Sequence, residues 1–210
     1  MKKALLNILI YILFPSIIPL FFTNNIYSKE YIIYLFISYI LIAIYFTIIY
    51  KDELLNNLKK LNKKNILTTL IYFIIGFLLI MLFNYIINNI IIPNKISNNE
   101  QSNRELLINN KLIYGLLLTT IIPYIEEIVF RLSLKKSIKN NTIFILISST
   151  IFSLLHIISS TKLIELLYFI PYFILGLTFS TIYIKTENIF CSTISHMLNN
   201  TITVLLVLLF

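Results

Sequence analysis

Hydrophobic residues along this chain run in long blocks, with no soluble-type alternation, and short polar breaks separate them. Seven blocks are long enough to span a bilayer as helices: 4–22, 31–50, 66–92, 112–134, 142–160, 163–184 and 189–209. About 20 apolar residues at 1.5 Å rise match the hydrocarbon thickness of a membrane. Lipid offers no partner to a free backbone amide, so each block is expected to close its hydrogen bonds as a helix. The breaks are rich in Asn, Lys and Ser, a bias read as compositional. The longest, 93–110, is the expected seam between N-terminal transmembrane helices with a polar loop (1–110) and a helical core (111–210). The fold class is therefore all-α, a polytopic transmembrane bundle of about seven spans. Pro15, Pro19, Pro123 and Pro171 fall inside spans, where they kink helices that neighbouring helices can still accommodate.

Composition sharpens this picture. The chain has 210 residues, 58% hydrophobic and 12% charged, against about 25% charged in a soluble domain. The net charge of +8 does not call for nucleic acid, because the lysines sit in short loops, where they set topology and meet membrane lipid. With the N-terminus in the cytoplasm, the inside segments carry twelve Lys and Arg residues and the outside segments five, the sense of the positive-inside rule. Met1-Lys2-Lys3 and the apolar run behind it look like a signal peptide. No small-x-small cleavage site follows at Phe22-Thr23-Asn24-Asn25, so a retained first helix is expected. The one cysteine, Cys191, has no internal disulfide partner. A bacterial plasma membrane is the expected location.

A few strongly polar groups interrupt the apolar blocks. They are Glu126, Glu127 and Arg131 in 112–134, His156 in 142–160, and His196, Asn199 and Asn200 in 189–209. Glu165 opens its block near the interface. A charge at the bilayer centre costs about 2.5–3.5 kcal/mol on insertion scales, and such residues mark functional sites facing a bundle interior. Glu127 and Arg131 are i and i+4, acid first, the favourable order for an ion pair. Glu126 is turned about 100° from Glu127 and is left as a free carboxylate. Phe152 with His156, and His196 with Asn200, share helix faces. By helical rise, Glu126 lies about 12 Å, His156 about 21 Å, and His196 and Asn200 about 10–18 Å from the cytoplasmic ends of their spans. Tilt can bring these depths together in one cavity below the cytoplasmic surface. Taken singly, each group has a structural explanation: a bracing ion pair, or a packing His or Asn. Asn199 faces another way and is assigned no role. Their joint occurrence carries the argument.

Three motifs resemble the CAAX-protease and bacteriocin-processing family (CPBP) of intramembrane proteases. Pro123-Tyr124-Ile125-Glu126-Glu127-Ile128-Val129-Phe130-Arg131 fits its E-E-x-x-x-R with a preceding proline. The stretch Ser148 to His156 fits F-x-x-x-H, and His196-Met197-Leu198-Asn199-Asn200 fits H-x-x-x-N. Leu132 departs from the family, which often has Gly there. The likeness covers roughly 112–203 and puts the catalytic core in the last four spans. It implies an endopeptidase acting on a membrane-associated peptide or protein. Glu126 would be general base, and His156 would hold the water with it. His196 and Asn200 would donate to the oxyanion, while Glu127 and Arg131 brace the helix. Glu126, His156 and His196 could instead bind Zn²⁺ with a fourth position for water. No H-E-x-x-H or G-x-S-G is present, and Asp52 is the only aspartate, which excludes other intramembrane protease types. Two further readings stay open: a non-proteolytic bacteriocin self-immunity or scaffold protein of the same family, and a transporter or proton relay. Three glycines and no internal repeat speak against the last.

Overall fold

The fold comes from a computed structural model that describes residues 2–22, 28–93, 95–160 and 162–209, without the side chains of residues 18–20 and 22. Thr23 to Asn25, the Pro19 ring and Phe210 lie outside the described residues. Counting contiguous helical turns together, the described residues form nine helices and no strand. They are α1 (Lys2–Phe22), α2 (Lys29–Ile49), α3 (Lys51–Lys59), α4 (Lys63–Ile91), α5 (Asn98–Asn109), α6 (Lys111–Ser133), α7 (Asn141–Ile157), α8 (Leu163–Thr186) and α9 (Ile189–Leu209).

Among the described residues, five of these (α2, α4, α6, α8 and α9) are long and apolar enough to cross a membrane. The other two expected spans fall on α1 and on α7, an apolar helix of 17 residues. The chain is a multi-pass membrane protein. Its outward faces are apolar, as lipid requires: Leu67 and Leu78 on α4 are each 60% exposed.

The polar breaks do more than interrupt. Ser28, Asn62, Ser97 and Asn140 each accept a hydrogen bond from the backbone N–H three residues on, capping α2, α4, α5 and α7. A capping side chain satisfies one of the four orphan N–H groups at a helix start. The Asn and Ser bias is thus partly structural. The 93–110 stretch, read from sequence as a polar loop, contains α5. Between the second and third expected spans lies α3, whose Glu53 pairs with Lys136 beyond α6. That hydrogen bond from Lys136 holds the Glu53 carboxyl below the usual carboxylate range.

Small residues let the central helices approach closely. A Cβ on Gly176 of α8 would sit 2.8 Å from the Cα of Ser149 on α7. One on Gly76 of α4 would meet the Thr178 side chain of α8. Helices in lipid gain from such backbone proximity, because apolar burial alone gives little advantage over the acyl chains. The start of α9 is pinned by α3: Asn188 donates to the Asn57 carbonyl at 2.7 Å, and Ile189 N–H donates to Asn57 Oδ1 at 2.7 Å. Asn188 also accepts from Phe190 N–H at 3.0 Å.

Candidate active site

The site starts with an irregularity in α6. Two π-helical turns, Leu117–Ile121 and Ile128–Ser133, flank the α-helical Ile122–Glu127. Such turns add a residue to the helical register and recur at functional sites. Pro123 has no N–H to donate. Ile122 N–H bonds to the Leu117 carbonyl in the wider register, so the next carbonyl, Leu118, would need a donor from Pro123. Asn200 on α9 supplies it instead, donating to Leu118 O at 2.9 Å. One kink thereby ties the E-E-x-x-x-R helix to the H-x-x-x-N helix.

Below the proline, Glu126, Glu127, Arg131 and His196 form one buried cluster, with Glu127 and Arg131 wholly inside. His196 lies between the two carboxylates. Its Nδ1 is 3.1 Å from Glu127 Oε1 and its Nε2 is 3.5 Å from Glu126 Oε2. The ring stacks on Phe179 with centroids 4.5 Å apart. Arg131 Nε is 3.2 Å from Glu127 Oε2, close enough for charge pairing but not aligned as a hydrogen bond. Its Nη1 donates to Ser148 Oγ at 2.5 Å, and the guanidinium lies 5.3 Å from the centroid of the Phe152 ring. Arg131 therefore compensates Glu127, which in turn faces His196. The second oxygen of Glu126, Oε1, accepts a hydrogen bond from Tyr11 of α1.

His156 is held separately near the end of α7. Its Nδ1 is 2.8 Å from the Phe152 carbonyl. A carbonyl only accepts, which assigns a proton to Nδ1, so that in the neutral ring Nε2 is a lone pair. The ring sits between Phe152 and Tyr172, at 4.3 and 4.7 Å. Tyr172 reaches α5 through Ser97 at 3.0 Å and Asn99 at 3.1 Å.

Glu126, His156, His196 and Asn200 all line one cavity of about 450 Å³. Glu127 and Arg131 lie behind its wall, and no direct bond joins His156 to Glu126 or His196. The cavity runs from Glu126 to Ser97, Asn99, Glu100, Asn103 and Arg104 on and beside α5. Asn98 of α5 donates to the Ser159 carbonyl at 3.0 Å and Tyr168 of α8 donates to the Lys95 carbonyl at 3.0 Å, so α5 lies by the α7–α8 connection, at the end of the bundle opposite the lysine-rich loops. The cavity expected below the cytoplasmic surface extends from Glu126 away from the lysine-rich loops. Apolar packing of Phe130, Phe152, Phe179, Ile125 and Ile128 fills the side towards those loops.

The sequence did not single out three wall residues. Tyr11 and Tyr172 are two of 14 tyrosines on apolar helices and carried no distinguishing signal. Asn199 was set aside by its helix angle, yet the cavity wraps far enough around α9 to reach it. The zinc reading of Glu126, His156 and His196 does not fit this arrangement. Among the described residues no three His, Cys, Asp or Glu side chains are grouped so as to hold a metal ion.

Residues 108–202 match the family model described as Type II CAAX prenyl endopeptidase Rce1-like. No curated protein and no solved structure matches the chain. The matched segment contains Glu126, Glu127, Arg131, His156, His196 and Asn200 and leaves α1 to α4 outside. The chain thus carries a segment like a protease family, in agreement with the resemblance read from the three motifs.

Proposed function

We propose that this Rce1-like segment works as an intramembrane endopeptidase that cleaves a membrane-associated peptide or protein with an activated water. The observation that carries the reading is the convergence of Glu126, His156, His196 and Asn200 on one cavity of about 450 Å³. Peptide hydrolysis needs a base for water and donors for the oxyanion. Glu126 takes a proton from a water that the free Nε2 of His156 orients. The resulting hydroxide attacks the scissile carbonyl carbon. The carbonyl oxygen, now anionic, accepts hydrogen bonds from the second N–H of the Asn200 amide and from His196 Nε2–H, which requires both ring nitrogens of His196 to carry protons between the two carboxylates. The first N–H of Asn200 is engaged by Leu118. As the C–N bond breaks, Glu126 returns the proton to the leaving amine. Glu127, neutralised by Arg131, keeps the His196 ring oriented throughout.

The positive-inside count puts the lysine-rich end in the cytoplasm. The polar lining at α5 then faces the extracytoplasmic side of a plasma membrane, and we place substrate entry there. A transporter reading is less well supported, because the aromatic packing leaves the cavity with one polar end.

The test is hydrolysis by the purified full-length protein. A farnesylated peptide ending in a CAAX sequence is the first probe. Wild type should cleave it, and Glu126→Gln should lower the rate by about 10²–10⁴-fold while keeping its melting temperature. Peptide profiles of membranes from wild-type and Glu126→Gln cells would then identify the natural substrate. A cellular phenotype that survives both Glu126→Gln and His156→Ala would replace hydrolysis with an immunity or scaffold role.

A further inference from the structure

We infer that Tyr11, on the first helix, is a positioning residue of the site, whose phenol fixes the Glu126 carboxylate in the orientation that serves catalysis. The inference rests on the reading of Glu126 as the base. Tyr11 donates to Glu126 Oε1, while Oε2 faces His196 Nε2 at 3.5 Å. A carboxylate at the end of a three-torsion side chain has one free rotation about its terminal bond. A hydrogen bond on one oxygen, with the His196 ring beside the other, restricts that freedom. The Tyr11 ring is itself immobilised edge-on against Phe130, with centroids 5.6 Å apart at 85°. Phe130 packs in the same way on Phe152, at 5.9 Å and 87°.

The phenol is not needed to dock α1. Asn7, one turn earlier on the same face, already does so by donating to Ser133 Oγ at 2.8 Å and Tyr50 Oη at 2.7 Å. Along the antiparallel α6, Asn7 meets the last turn and Tyr11 meets Glu126. The helix is thus registered by one residue and leaves the other to act on the carboxylate. Tyr11 also lies outside the matched segment 108–202. The site therefore borrows a group from the part of the chain that looks like generic membrane helix.

The experiment has two arms on the full-length protein. In the first, Tyr11→Phe removes one oxygen and keeps the ring. With the farnesylated CAAX peptide, kcat should fall by about tenfold to a hundredfold, as misplacement of a catalytic group does, with KM and melting temperature unchanged. Asn7→Ala, by contrast, should lower the melting temperature and leave kcat alone. Unchanged kcat in Tyr11→Phe overturns the inference, and so does an equal fall in Asn7→Ala, which would assign the effect to helix docking. In the second arm, 3-fluorotyrosine at position 11 gives a ¹⁹F resonance that should shift on Glu126→Gln. A resonance blind to that change overturns the contact itself. The second arm needs no substrate, so it decides on Tyr11 even if the protein cleaves nothing.

Discussion

Helices α4 and α6 are both long and apolar enough to span a bilayer, yet they do opposite work. Of the most apolar stretch of α4, 11% is buried inside the protein; for α6 the share is 50%. Facing lipid, α4 carries Leu67, Ile74 and Leu78 outward. Threading the bundle, α6 carries Glu126, Glu127 and Arg131 inward. Length and hydrophobicity place a helix in the membrane. The polar residues it can tolerate, and hence its chemistry, depend on how many neighbours surround it. Lipid penalises a charge on the outside of α4, whereas Ser148, His196 and Phe152 accommodate charges on α6.

Substitutions can break this contrast, and the largest effect should come from Arg131→Met. It strands the Glu127 charge in a fully enclosed site, at a cost of about 3–5 kcal/mol, and should leave little folded protein in a detergent melting assay. Gly176→Ala should come next, at about 1–3 kcal/mol. Its Cβ meets the α7 backbone at Ser149, so α7 and with it His156 must move, lowering activity as well as melting temperature. Asn200→Ala should cost a similar about 1–3 kcal/mol by orphaning the Leu118 carbonyl beside Pro123, and melting curves should show it. The smallest effect should be that of Leu78→Ala on α4, within about 0.5 kcal/mol, since its side chain meets lipid rather than protein. A large loss there would mean that α4 is packed against something other than the acyl chains.

Where apolar runs exceed membrane thickness, the helix positions were legible in the sequence to within a few residues, because lipid leaves the backbone no other choice. Polar groups inside those runs were legible for the same reason: each is expensive, so each needs a neighbour. Less visible were the helices that are not apolar. In α5, Ser97-Asn98-Asn99-Glu100 matches a capping box, Ser followed three residues later by Glu, and Ser97 does accept from Glu100 N–H. The signal was present but lost among asparagines. In α3, Asp52 and Glu53 open the first turn and Lys59 closes the last, the charge order that a helix dipole favours. The cavity's direction was not legible at all. It depends on Phe130, Phe152 and Phe179 packing together from three helices, and no local pattern announces that. The same holds for Tyr11, whose partner lies 115 residues away.

The central claim is that Glu126 faces a water-bearing cavity and not lipid or dry core. It is tested most directly by replacing Cys191 with Ala, introducing Glu126→Cys, and measuring thiol modification by a small, charged methanethiosulfonate reagent. Leu78→Cys in lipid and Ile128→Cys in the packed interior serve as references. The account predicts rapid modification at position 126 and almost none at 78 or 128. Equal, negligible modification at all three positions would contradict it.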